Sequence, residues 1–324
     1  MQKNSEVLFQ KGIENFRNKN FLEAEKCFEE LKNIHPTNKD ILKNLSICYF
    51  QNKKYENSEK IIETMFALGH KENKFIELLL LILKQQDKTE KILDIISKEK
   101  NNINPKYELL EKFERPAIAM SNQELEHFRK NTYEKINLAI TENNLSLRVD
   151  DHYLDPPLFY YSYENKDNLN LSKKMNELFR KSYPELQQKF QLKNIENKKI
   201  KIGFISEFFN KHTISKLFKG LIINLDKSLF DVNIFYLDNG KGLDQEFLNN
   251  EKGSNLKSFK LPKPFNDKTN IILDQNLDII FYPDIGFSTQ LYYLTFLRLA
   301  KIQITSWGHP ETTGNTNIDY FLSS

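Results

Sequence analysis

Cysteine is almost missing from this chain. Cys27 and Cys48 are the two in 324 residues, too few for a disulfide framework. Both sit among apolar neighbours in helical repeats, which reads as free, buried thiols in a reducing compartment. The N-terminus, MQKNSEVLFQKG, lacks an apolar core, so no secretion signal is expected. Without one, the Asn-x-Ser sequons at Asn44, Asn144 and Asn170 carry no message. Long hydrophobic runs are also absent: the greasiest, Phe75 to Leu83, contains Glu77 and falls far short of the roughly 20 residues that span a bilayer. No charge of one sign dominates, since 47 basic residues face 44 acidic ones for a net +3. A balanced surface offers no electrostatic case for nucleic acid or an acidic membrane as partner. The expectation is a cytoplasmic protein. Glycine and proline number ten each beside abundant Lys, Asn and Ile, a bias of the coding genome. Neither Gly-x-Gly-x-x-Gly nor Gly-Lys-Ser/Thr occurs, which counts against dehydrogenase and NTPase chemistry.

What is present points to two or three units, as the length suggests, with 39% hydrophobic residues to build their cores. Residues 1–100 read as helices with an internal repeat of about 34 residues. That spacing pairs Leu8 with Leu42, Gly12 with Ser46, Ala24 with Ser58 and Phe28 with Ile62. Gly12, Ala24, Phe28 and Pro36 fall where tetratricopeptide repeats place two small residues, an aromatic and a terminating proline. Small residues let paired helices approach closely, and proline ends the second helix. Tyr49 supplies the aromatic of the second unit. A third pair, near Asn73 to Lys98, continues the array without the signature. Stacked pairs form concave surfaces for peptides or other domains; a structural cap is the bland alternative.

Residues 101–197 read as a helical linker. Ser121-Asn122-Gln123-Glu124 caps a helix whose apolar positions Leu125, Phe128, Tyr133, Ile136 and Ala139 share one face. Asp155-Pro156-Pro157 breaks the chain. LFYYSYEN then predicts an aromatic strand or turn, followed by a helix ending before Pro184. The cluster Asp150-Asp151-His152 with Asp155 has metal-binding residue types, but it lies in a predicted turn without flanking strands and reads as a solvated loop.

From Lys198 onward, strands alternate with helices. Strands are expected at Ile200 to Ser206, Val232 to Leu237, Leu256 to Lys260, Leu277 to Tyr282, Ile302 to Trp307 and Ile318 to Leu322. Helices are expected near Ser215 to Leu225, Asp244 to Asn250, Asp267 to Asp274 and Gln290 to Ala300. This alternation predicts a parallel, doubly wound sheet. Such sheets bind ligands at the carboxyl ends of their strands, where two histidines fall. His212 lies in the first strand-to-helix turn, where an imidazole can take a proton at neutral pH; a merely solvated loop histidine is the alternative. His309 is held between Gly308 and Pro310 at the end of a buried strand, ahead of Thr312-Thr313-Gly314. The other histidines, His35, His70, His127 and His152, have no ligand spacing, so no metal site is expected.

Three segments together carry a family resemblance. KIKIGFISEFFNKHTISKLFKGLIINLDKSLFDVNIFYLD resembles the start of the catalytic region of the O-GlcNAc transferase/SPINDLY family, glycosyltransferase family 41. LDIIFYPDIGFSTQLYYLTFLRLAKIQITSWGHPETTGNTNIDYFLSS resembles that family's next block, with its Gly-Tyr-Pro-Gly-Thr-Thr-Gly and Met/Ile-Asp-Tyr. FERPAIAMSNQELEHFRKNTYEKI and DPPLFYYSYENKDNLNLSKKMNELFRKSYPEL resemble the linker of bacterial SPINDLY-type proteins, in which tetratricopeptide repeats also come first. Here His309 replaces the family's Tyr, Glu311 its Gly, and Arg298-Leu299-Ala300-Lys301 its Arg-Pro-Ala-Pro. Gly-His-Pro resembles the branch that glucosylates asparagine.

The resemblance implies a tetratricopeptide-like helical region followed by a Rossmann-like sheet at 198–324, the first half of a GT-B fold. It implies an inverting transfer from a nucleotide sugar, UDP-GlcNAc or a related donor, to Ser/Thr of proteins, with no cofactor and no metal. His212 would be catalytic or position the acceptor; His309, Pro310, Thr312, Thr313 and Gly314 would bind substrate. The partners implied are a protein or peptide acceptor held by the repeats, the nucleotide sugar, and a separate C-terminal catalytic half. With the second Rossmann-like domain absent, residues 1–324 alone are expected not to turn over a sugar donor. The alternatives are the asparagine-directed branch and a repeat adaptor with a degenerate, inactive half-domain.

Overall fold

Helix pairs build the first part of the chain, and small residues at their crossings set how closely they pack. The computed structural model describes residues 2–142, 144–154, 158–193, 198–237, 240–251 and 256–323. The predicted break at Asp155-Pro156-Pro157 lies outside them. Two compact units form, Met1–Leu125 and Glu126–Ser324, and the predicted linker at 101–197 divides between them. In the first unit, α1 (Gln2–Arg17) pairs with α2 (Phe21–Ile34), α3 (Lys39–Gln51) with α4 (Tyr55–Ala67), and α5 (Asn73–Gln85) with α6 (Thr89–Glu99); α7 (Lys106–Phe113) follows. A Cβ on Gly12 would lie 2.9 Å from the Phe28 ring, so only glycine fits there without a shift. The second-repeat counterparts of Gly12 and Ala24 are polar: the hydroxyls of Ser46 and Ser58 meet at 3.0 Å. In the third, Leu80 and Ile92 occupy these positions, and α5 and α6 approach less closely than the first two pairs.

The turns between paired helices repeat too. Lys19, Lys53 and Asp87 take φ of 61°, 60° and 55°. The next residue's amide returns to Asn15, Tyr49 and Leu83 respectively, the C-terminal closure that favours glycine. Buried acids tie each repeat to the next. Glu25 accepts from Asn52 and Lys54, and Glu59 accepts from Gln86, Lys88 and Lys91. Burial alone would raise the Glu59 carboxyl, but its three donors overcome this and hold it at about 2. Both cysteines are buried and free.

The second unit carries α8 (Asn122–Glu142), which begins in the first, then α9 (Leu158–Tyr161) and α10 (Leu169–Ser182). The aromatic run LFYYSYE is therefore helical turn, with α9 running into a 3₁₀ turn at Ser162–Glu164, and not a strand. Next come β1 (Ile200–Ile205), α11 (Thr213–Asn224), β2 (Phe230–Leu237), α12 (Gln245–Glu251), β3 (Leu256–Leu261), α13 (Phe265–Asp274), β4 (Ile279–Tyr282), α14 (Thr289–Leu294), β5 (Ile302–Ser306) and β6 (Tyr320–Leu322). All six strands are parallel, in the order β3-β2-β1-β4-β5-β6. This is the Rossmann-like sheet expected, and its order reverses between β1 and β4. α14 stops earlier than the periodicity predicts. The carbonyls of Thr295, Phe296 and Leu297 are taken by side chains of Asn315, Arg180 and Gln303 instead of helix amides. Among the described residues, no helix is long and apolar enough to cross a membrane.

Segment 148–154 is not a free loop. Asp150 accepts from the Phe265 amide at 2.9 Å, capping α13, while Tyr183 donates to His152 O at 2.7 Å. Asp155 lies outside the described residues. Lys268 on α13 is fully buried, donating to Lys263 O and, at 3.0 Å, to Gln290. Burial pushes its ammonium down to about 8, against the pull of Asp150.

Two outcomes are expected in denaturant melts. Lys53→Gly relieves a left-handed backbone and stabilises the chain by about 1 kcal/mol. Lys268 is charged in both states below pH 8, so its burial penalty is then present in full. The folded state sheds the proton first between about 8 and 10.5, and stability rises across that window. Lys268→Met removes this rise relative to wild type.

Candidate functional site

β5 delivers the candidate loop to the carboxyl edge of the sheet, and its neighbour β4 shapes the exit. Thr305 Oγ1 donates to Tyr282 O at 2.9 Å, and the Gly308 amide donates to Pro283 O at 2.9 Å. A Cβ on Gly308 would come within 2.2 Å of that carbonyl, so glycine is obligatory there. The loop then borders a cavity of about 540 Å³. His309, Pro310, Thr312, Thr313 and Gly314 all line it, with Lys173 from α10 supplying positive charge. Five predicted site residues are thus brought together.

His309, expected to bind substrate, is itself buried. Its side chain is 4% exposed and packs against Phe287 at 4.8 Å and Phe159 at 5.9 Å between ring centroids. Nδ1 accepts from the Glu311 amide at 3.2 Å. In the neutral ring the proton therefore sits on Nε2, which has no hydrogen-bond partner among the described residues. Burial pushes the imidazole down to about 4. Gly286, at φ 114°, vacates the space: a Cβ there would lie 2.9 Å from Nε2.

His212 lies outside the residues lining this cavity. It caps α11, its Nδ1 accepting from the Ile214 amide at 3.2 Å. Its ring lies 4.5 Å from that of Phe208. With Nδ1 engaged, the neutral ring presents Nε2–H, a donor and not a base. Phe208 lies 6.2 Å from Phe287, which touches His309. An aromatic bridge thus joins the two histidines along the strand ends.

Two side-chain ties span the reversal point between β1 and β4. Ser206 Oγ donates to Asp284 at 3.0 Å, and Ser288 Oγ donates to Glu207 at 2.5 Å. Burial raises the Asp284 carboxyl to about 7; Ser206 opposes the shift and Glu207 adds to it. Residues this remote in sequence gave no motif. The stripe on α10 did leave a trace: Asn168, Ser172, Asn176 and Arg180 recur every fourth residue, placing polar groups on a buried helix face. Among the described residues, no group of three or more His, Cys, Asp and Glu side chains could hold a metal ion.

No family model and no curated protein matches the sequence. Among solved structures, the chain is similar to a point mutant of an O-GlcNAc transferase from Thermobaculum terrenum. The TM-score is 0.52 at 13% identity, over 99% of this chain and 53% of that one. The likeness is one of fold alone, and the chain spans about half the length of that structure.

The two buried titratable groups, one base and one acid, make opposite pH predictions. His309 takes up its proton in the unfolded state at 6.5 and in the folded state at about 4, so acid destabilises across that window, by roughly 3 kcal/mol in full. Asp284 is held at about 7 against 3.8, so its contribution is complete below 3.8 and is lost as pH rises through 7. Melts against pH should show His309→Phe gaining on wild type as pH falls from 6.5 to 4. Asp284→Asn should gain as pH rises from 3.8 to 7.

Proposed function

We propose that this chain forms the acceptor- and sugar-facing half of an inverting protein glycosyltransferase using a nucleotide sugar. The observation that carries this is the preformed cavity at the β5 edge, bordered by the His309–Gly314 loop in a glycosyltransferase-like fold. Its volume suits a sugar and part of a diphosphate. UDP-GlcNAc or a related sugar is the donor, and Ser/Thr hydroxyls of a protein held by the helical repeats are the acceptors. The acceptor oxygen bonds to the anomeric carbon while the bond to the diphosphate oxygen breaks, its electron pair leaving with the nucleotide.

Both carboxylates lining the cavity are engaged. Glu311 accepts from Asn168 and the Thr312 amide, and Asp319 is paired with Arg298. The acceptor proton is therefore assigned to the departing diphosphate. His212, presenting Nε2–H at the N-terminus of α11, suits hydrogen bonding to an electron-rich oxygen, and Lys173 suits the charge on phosphate. Trp307, Tyr320 and Phe321 expose apolar surface around the same cavity. This supports a cleft closed by a further catalytic body, in the same chain or another, over a degenerate adaptor.

Titration of isotope-labelled 1–324 with UDP-GlcNAc, UDP-glucose and GDP-fucose tests the reading. One donor should shift the amides of Thr312, Thr313 and Gly314, and Lys173→Ala should weaken its binding about tenfold, the worth of one charge-assisted hydrogen bond. Absence of any shift at millimolar donor would rule the reading out.

A further inference from the structure

The cavity loop takes its conformation from a helix far away in sequence, and one side chain makes the decisive contact. Asn176 is buried on α10. Its Nδ2 donates to the Thr313 carbonyl at 2.8 Å, while its Oδ1 accepts from the Tyr292 hydroxyl at 2.6 Å. The Thr313 carbonyl, which can only accept, turns the amide nitrogen toward the loop, and the Tyr292 hydroxyl then donates to the oxygen facing α14. Around this point the loop is pressed onto the helix. Gly314 has φ 57°, and a Cβ there would lie 2.7 Å from the Lys173 backbone nitrogen. Asn168 and Arg180 flank the contact, reaching Glu311 at 2.6 Å and Asn315 at 3.4 Å.

We infer that Asn176, its oxygen held by Tyr292, is a positioning residue for ligand binding: it holds Thr312, Thr313 and Gly314 in the shape that borders the cavity. Among the described residues, Thr313 O is the acceptor that the Asn176 amide nitrogen meets, while the buried Tyr292 hydroxyl needs only the amide oxygen. A donor is needed because the loop turns a peptide carbonyl into that face, where an unmet acceptor would be costly. The ligand named rests on the glycosyltransferase reading; the loop geometry does not.

Amide hydrogen exchange separates the two. In wild type the amides of Glu311, Thr312 and Asn315 are bonded within the loop, to His309, Glu311 and Thr313, and should be protected. Asn176→Asp keeps the acceptor for Tyr292 but turns a carboxylate oxygen toward Thr313 O. It should speed exchange at these three amides by about tenfold or more while leaving β1, β4 and β5 within about twofold. Tyr292→Phe keeps the ring and frees the amide, and should give a smaller change at the same amides. Asn176→Gln, which can still donate, should restore part of the protection. UDP-GlcNAc binding should weaken in the same order as the loop loosens.

If Asn176→Asp fails to fold, Tyr292→Phe carries the test. Unchanged loop exchange in the folded variants overturns the inference even if wild type binds the nucleotide sugar. Loosened loops in a protein that never binds one leave the positioning role standing and remove the glycosyltransferase reading.

Discussion

Buried polar groups on α10 are the constraint on which the second unit depends. A helix face carrying Asn168, Asn176 and Arg180 cannot be covered by an apolar surface without stranding their donors. It has to be met by backbone carbonyls and carboxylates, and three loop segments supply them. Arg180 takes the carbonyls of Leu186 and Phe296, Asn176 takes Thr313, and Asn168 takes Glu311. Because these acceptors come from both sides of β5, satisfying the helix also ends α14 early and presses the cavity loop into place. A helix read from sequence as part of a linker is thus a structural member of the sheet domain.

The strand ends are organised around neutrality more than charge. His309 is held uncharged by burial, and burial likewise favours the protonated form of Asp284. Lys173 supplies positive charge at the cavity, while the lining carboxylates Glu311 and Asp319 are already engaged. That arrangement favours an anionic ligand group, because the acids that would compete with it are already paired.

The helical unit follows a simpler rule. The first two repeats each present a buried acid to donors on the next repeat, so these neighbours are joined electrostatically as well as by packing. Glu25 and Glu59 occupy matching positions. The corresponding residue one repeat later is Leu93, and the ladder ends there.

Much of this was legible in the chain itself. Strand and helix alternation, the repeat length and the small residues Gly12, Ala24, Ser46 and Ser58 are local patterns, and local patterns specify local structure. The order of elements was therefore readable, as was the gathering of the His309 to Gly314 loop at a strand end. The roles of side chains within that frame were not. His309 turns inward because Gly286, on another strand's loop, leaves it room; His212 becomes a donor because it caps its own helix. Asn176 acquires a partner more than a hundred residues away. Sequence determined which elements form, since periodicity and turn chemistry act between near neighbours. Tertiary structure alone decided which polar atoms remain available for a ligand, because that depends on partners brought together only by folding.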